Sequence, residues 1–307
     1  MVARFLVRWR AFFDIYSTNF ISVTMLRIAV QAKGRLCEES LLLLREAGVE
    51  VDDTKRKFLS RSSSFPVEIL YLRDDDIPQT VAQGVADIGI VGYNEVCERG
   101  EDVEIVDRLG FGTCRISLAI PKGEEYSGLG YFNGKRIATS YPNILGKFLR
   151  DNGIDAKVNV ITGSVEIAPT VGMSDAIFDI VSSGGTLVSN GLKEVEKVVF
   201  SEAVLISGRN LSEEKSGLLE QLRFRFNAVK ESRGKKYLLM NIPNDRIEDA
   251  IRIVPAMRSP TVLPLAQSGW SSLHSVVDEN VLWEKIESLK SVGAEGILVL
   301  SVEKMVL

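Results

Sequence analysis

A single histidine, His274, stands in a chain of 307 residues, and that scarcity excludes a whole class of mechanisms. A Ser-His-Asp or Cys-His arrangement would have to be built around this one residue, and no nucleophile motif accompanies it. The three cysteines, Cys37, Cys97 and Cys114, are odd in number and widely spaced, so neither a disulfide framework nor a zinc cluster is suggested and a reducing compartment is expected. No run approaches the ~20 apolar residues that a membrane-spanning helix needs, so a soluble, cytoplasmic protein without a membrane partner is expected. A basic excess is missing too. The formal net charge is −4, whereas general nucleic-acid and membrane-surface binders carry a surplus of Lys and Arg. Any polyanion must therefore meet a local cationic patch.

What is present begins with an unusual arm. Residues 1–24, "MVARFLVRWRAFFDIYSTNFISVT", set Arg4, Arg8 and Arg10 among aromatics without a cleavage-site pattern. Met25 is followed at once by the strand-like "LRIAV", so the arm is expected to be an upstream extension outside the folded chain. From there strands alternate with helices, the pattern of α/β architecture. "LRIAVQ" reads as a buried strand and "LCEESLLLLREAG" as an amphipathic helix closed by Gly48. Strands "VEILYLR" and "DIGIVG" flank a short helix near Ile77-Pro78. A second α/β unit runs through "RISLAIP", "KRIATS", a helix at 142–152, "AKVNVITG", a helix near 165–173 and "AIFDIV". The tail spells strand, helix, strand, strand, helix, strand, the ferredoxin-like βαββαβ order. The expected partition is a first lobe of residues 25–112 and 188–212, a second of 113–187, a charged connector helix over 213–235 and a C-terminal module over 236–307. Two lobes imply a cleft.

Two tempting phosphate motifs fail. In "GLGYFNGKR" the position five before Gly134 is Leu129, and Arg136 replaces the Ser/Thr of a P-loop. No G-x-G-x-x-G follows the first strand. The stretch "FDIVSSGGTLVSNGL" is better: Ser182, Ser183, Gly184, Gly185 and Thr186 form a small-residue turn in which successive amides can converge on an anion and hydroxyls add donors. The same turn could be a simple connector. Asp179, three residues before it, and Glu166, thirteen before that, could hold vicinal hydroxyls of a sugar whose phosphate sits in the turn; a capping carboxylate is the plainer reading of Asp179. A cationic cluster lies in the first lobe: Lys33 and Arg35 with Gly34 between them, Arg56, and Arg73. Four cations near strand ends, where open α/β sheets place ligands, suit polyphosphate; each alone is an ordinary surface charge.

These segments resemble the ATP phosphoribosyltransferase family in its long form. The resemblance is carried by "LRIAVQAKGRL", "LRDDDIP", "DIGIVGYNEV", "GFGTCRISLAIP", "GKRIATSYP", "GSVEIAP", "DAIFDIVSSGGTLVSNGL", "SPTVLPLA" and "GILVLSVEKM", and it covers residues 25–307. It implies two catalytic lobes like those of periplasmic binding proteins and an ACT-like C-terminal regulatory domain. It further implies displacement at the anomeric carbon of phosphoribosyl pyrophosphate by N1 of ATP, with magnesium bridging the pyrophosphate and no metal held by the protein alone. By the same resemblance the turn at Ser182–Thr186 takes the sugar phosphate and Glu166 and Asp179 face the ribose. Lys33, Arg56 and Arg73 handle pyrophosphate and ATP phosphates. Histidine is the implied feedback inhibitor, bound near "SPTVLPLAQSG", and the implied assembly is a hexamer exchanging with a dimer. The expected competitor from another class is a non-catalytic two-lobed sensor of nucleotides.

Overall fold

Alternation decides the first strand, β1 (Leu26–Gln31): Ile28 and Val30 face one side and Ala29 the other, and all three are fully buried, as in a parallel strand covered on both faces. The structure, a computed structural model, describes residues 24–51, 58–254 and 259–307. Helix α1 (Arg35–Glu46) turns Cys37, Leu43 and Leu44 inward and stops at Gly48, whose φ of 75° only glycine adopts without strain. Then follow β2 (Leu59–Arg61), β3 (Val67–Leu72), α2 (Ile77–Ala82), β4 (Ile88–Gly92), α3 (Tyr93–Arg99) and β5 (Glu104–Arg108). The second unit comprises β6 (Cys114–Pro121), β7 (Arg136–Thr139), α4 (Pro142–Asp151), β8 (Lys157–Val160), β9 (Ala176–Val181), α5 (Gly185–Ser189) and β10 (Leu192–Ser201). The chain returns through β11 (Ala203–Ser207) to α6 (Glu213–Ser232). The last unit is β12 (Lys235–Pro243), α7 (Ile247–Ile253), β13 (Thr261–Pro264), β14 (Trp270–Asp278), α8 (Glu279–Ser291) and β15 (Glu295–Ser301).

Three sheets result, in the orders β2-β3-β1-β4-β11-β5, β10-β6-β9-β7-β8 and β13-β14-β12-β15. In the first, β1 runs parallel to β3 and β4. In the second, β7 runs parallel to β8 and β9. The third is antiparallel throughout and is the sheet of the ferredoxin-like unit. The chain crosses between the first two sheets twice, from β5 to β6 and from β10 to β11. The crossings are tied together: Leu109 N donates to Ala203 O at 2.9 Å, Ala203 N to Phe111 O at 2.8 Å, and Glu202 accepts from Gly110 N at 3.0 Å while pairing with Arg108 at 3.1 Å. A hydrogen-bonded double crossover joins two lobes that face each other through the carboxyl ends of their parallel strands. The architecture is therefore two α/β lobes followed by a C-terminal ferredoxin-like unit.

Three expectations change. No helix spans 165–173: only Val165–Ile167 forms a 3-10 turn, because Ser164 enters it at φ 51°, Pro169 follows and Gly172 turns the chain at φ 74°. Strand β10 pairs with β6 of the second sheet rather than joining the first lobe, so only β11 of the stretch 188–212 lies in the first sheet. And α6 does more than connect. Its Leu219, Leu222, Phe226 and Val229, at spacings of three and four, are buried in the same core as Ile28, Val30, Leu43 and Ile90. The arm over 1–23 lies outside the described residues; Thr24 donates to Glu214 at the start of α6.

Candidate functional site

The site assembles where β9 ends. Phe178 points into a core with Ile116, Phe132 and Leu145, while Ile177 and Val181 point to the opposite face with Ala138, Val165 and Leu187. Alternation places Asp179 on that second face, toward the turn that carries Glu166. Burial pushes the Asp179 carboxyl up to about 6, the Glu166 charge adds to the effect, and a hydrogen bond from the Ile180 amide opposes it. Two of the expected acids are thus electrostatic neighbours.

Beyond Val181 the chain enters the small-residue turn. Gly184 sits at φ 83°, a conformation a side chain resists, and α5 starts at Gly185. The amides of Ser183, Gly184 and Thr186 have no acceptor among the described residues, and the Gly185 amide reaches Ser183 Oγ at 3.4 Å. Donors at the start of a helical turn without a protein partner suit an anion. The turn is braced from below. Arg115 donates to Ser182 O at 2.9 Å and grips Glu194 through Nε at 2.5 Å and Nη2 at 2.6 Å, and Ser117 Oγ adds a bond to Glu194 at 2.6 Å. The guanidinium holds the Glu194 carboxyl below the usual carboxylate range. β6 and β10 position this brace, and sequence reasoning passed over it because its two members are far apart in the chain.

Across the cleft, Arg35 Nη2 donates to Ser182 Oγ at 3.3 Å, so one of the first-lobe cations touches the turn directly. Lys33, in the segment after β1, is exposed beside it. Arg73 lies at the end of the neighbouring β3, where it pairs with Asp75 at 3.2 Å; Asp75 also meets Arg99 at 3.4 Å. Arg56 lies outside the described residues. The structure therefore places Lys33, Gly34, Arg35 and Arg73 just beyond the carboxyl ends of the adjacent strands β1 and β3, and Arg35 touches Ser182 of the other lobe.

Between the lobes sits a cluster that spacing could not reveal. Glu95 and Glu98 are buried on α3. The Glu98 carboxylate accepts from the amides of Asn143 and Ile144, both at 2.9 Å, and so caps α4 of the opposite lobe. Asn94 donates to Glu95 at 3.0 Å and to Tyr141 Oη at 3.3 Å, and Ser201 Oγ donates to Asn94 Oδ1 at 2.8 Å. Burial, with Asp74 nearby, pushes Glu95 up to about 7 against the opposing pull of Arg99. Burial and Glu95 raise the Tyr141 phenol far above its ordinary value. A buried, hydrogen-bonded carboxyl thus sits at the lobe junction, with its proton held more tightly than in water. The available signal was Glu95 and Glu98 on one short helix, but their partners lie about forty-five residues away and in another lobe. Among the described residues no group of three or more His, Cys, Asp or Glu could hold a metal ion.

Residues 73–228 match the family described as HisG: ATP phosphoribosyltransferase, and residues 232–304 match the HisG C-terminal domain. An ATP phosphoribosyltransferase of Bacteroides fragilis is 62% identical over 283 residues, covering 92% of this chain and 100% of its own length. That of Cytophaga hutchinsonii is 52% identical over 283 residues, covering 92% of this chain and 99% of its own. Among solved structures, an ATP phosphoribosyl transferase (HisG:HisZ) complex from Thermotoga maritima superposes with a TM-score of 0.57 at 29% identity, covering 66% of this chain and 98% of that one. With both family domains in order and relatives matched end to end, this chain belongs to the ATP phosphoribosyltransferase family.

Proposed function

We propose that the enzyme binds phosphoribosyl pyrophosphate with its sugar phosphate in the Ser182–Thr186 turn and its ribose hydroxyls toward Asp179 and Glu166. The activity itself is that of the family, a pentosyl transfer to ATP in histidine biosynthesis; a non-catalytic nucleotide sensor is not favoured. The observation that carries the substrate assignment is the turn itself: unpartnered amides beside a positive-φ glycine, braced by Arg115 and touched across the cleft by Arg35. Lys33, Arg35, Arg56 and Arg73 are the cations proposed to receive pyrophosphate and ATP phosphates.

The chemistry asks little of a base. Adenine N1 already carries a lone pair; the C1–N1 bond forms as the bond from C1 to pyrophosphate oxygen breaks, and no proton has to leave beforehand. The scarcity of histidine follows. Positive charge gathers on the ribose, where the Asp179 and Glu166 carboxylates face it, and negative charge gathers on pyrophosphate, where the cationic edge receives it. Magnesium is taken to enter as part of the substrate, bound to its pyrophosphate, where it would offset negative charge.

Histidine inhibition through the C-terminal domain near Pro260–Gly269, assembly into dimers and hexamers, and a cytoplasmic location belong to the same proposal; among the described residues no helix is long and apolar enough to cross a membrane. Mixing the protein with ATP, phosphoribosyl pyrophosphate and magnesium and following the near-ultraviolet absorbance of adenine tests the reading. Product formation is expected, and binding of both substrates without a spectral change defeats it.

A further inference from the structure

Far from the cleft, a cavity of about 490 Å³ opens where α1 and α6 end against one end of the regulatory sheet, beside the start of β12 and the end of β15. Five cationic side chains line it: Arg45 from α1, Arg233, Lys235 and Lys236 from the α6–β12 junction, and Lys304 from the tail after β15. Only two carboxylates, Glu46 and Glu303, share the wall. Their neutralising reach is short. Arg233 meets Glu46 at 3.5 Å, and Lys304 meets Glu303 at 3.9 Å with the Glu303 side chain 89% exposed. Lys235 and Lys236 turn to Asp278 and Glu279, at 2.7 Å and 3.4 Å, outside the wall, and Arg45 has no ion pair among the described residues.

Two helix C-termini meet here, and their carbonyl ends favour a cation each. Arg45 has no carboxylate partner among the described residues, and the pairs of Lys236, Arg233 and Lys304 are 3.4, 3.5 and 3.9 Å long, so the concavity keeps a positive excess that a bound anion would offset. The volume falls in the range of small-molecule sites, and clustered guanidinium and ammonium groups are what phosphate oxygens require. We propose that this cavity binds a phosphorylated small metabolite through two or more phosphate groups, at a site separate from the catalytic turn. It lies on a direct mechanical route between domains. Met305 N donates to Ala228 O at 2.8 Å and Ser232 Oγ to Glu303 O at 2.9 Å, which fastens the regulatory tail to α6, and the opposite face of α6 is part of the first-lobe core. An anion drawn between Arg45 and Lys304 therefore pulls on α1, α6 and the regulatory sheet together, the arrangement of an effector site.

Titration calorimetry on the full chain, with inorganic tripolyphosphate and with ATP in separate arms, tests this. The wild type is expected to bind both at two sites per chain. The Arg45→Gln/Lys304→Gln variant, altered only at exposed side chains, is expected to lose one site by at least tenfold in affinity while kcat at saturating substrate is unchanged. Equal affinity for the two probes assigns recognition to phosphate alone, and preference for ATP assigns it to a nucleotide. Lys235→Gln, measured in parallel, is expected to weaken the same site if the double variant does not fold. One site per chain, untouched by any of these changes, overturns the proposal and leaves the cations as partners of the helix ends.

Discussion

Asp179 and Glu95 are the two carboxyls whose surroundings most alter their chemistry, and they do so for different ends. Asp179 titrates near 6 because it is buried beside Glu166, so it is ionised in neutral solution and loses its charge as the pH falls through 6. Rates of kcat/KM are expected to fall on that acid limb. Asp179→Asn is expected to lower kcat by about 10²–10³, the loss typical of one preorganised electrostatic contact, with an unchanged melting temperature; wild-type rates from the variant remove Asp179 from the chemistry. Glu95 lies above its ordinary 4.5, at about 7, so the folded state holds the proton more tightly than the unfolded one. The sign follows: this group's favourable contribution is complete below about 4.5 and is lost as the pH rises through about 7. Glu95→Gln keeps the protonated shape and is expected to remove up to about 3 kcal/mol of the stability difference between about pH 5 and about pH 8. Denaturant unfolding at the two values measures it, and an identical pH dependence in the variant contradicts the assignment.

At the scale of elements, the turn after β9 depends on backbone more than on side chains. Gly184 at φ 83° lets the amides converge, and a β-branched residue there meets steric strain of about 1–3 kcal/mol. Gly184→Val is therefore expected to raise the KM for phosphoribosyl pyrophosphate about tenfold or more while leaving histidine binding intact. A KM within twofold of the wild type takes the sugar phosphate out of this turn. Helix α6 illustrates the other side of the same point. Its sequence reads as a charged amphipathic connector, and Leu219, Leu222, Phe226 and Val229 form the stripe that the first-lobe core covers. One apolar face suffices to fasten a helix, whatever the rest of its surface carries.

For the whole molecule, the boundary that matters falls after α6. The two family models divide there, one matching residues 73–228 and the other residues 232–304. Truncation after Arg233 keeps α6 in its core and is expected to leave transferase activity within a few-fold of the full chain while abolishing histidine inhibition. Steady-state rates with and without histidine decide it: inhibition that survives truncation places the histidine site in the lobes.

Local patterns were enough to read most strands and the βαββαβ tail, because period-two alternation and glycine placement are written within a few consecutive residues. The small-residue turn at Ser182–Thr186 and the places of Arg35 and Asp179 near it were visible for the same reason, each standing at a strand end or within a strand. The segment near 165–173 has the apolar spacing of a helix, but Ser164 at φ 51°, Pro169 and Gly172 at φ 74° limit it to the 3-10 turn Val165–Ile167. Only the tertiary structure decided that β10 joins the second sheet, that Glu98 caps a helix of the other lobe, that Arg115 and Glu194 brace the turn after β9 and that five cations surround one cavity. Each of these joins residues tens to hundreds of positions apart. Sequence spacing sets which face a residue takes along its own element, but partners on different elements meet only when burial of apolar surface brings those elements together.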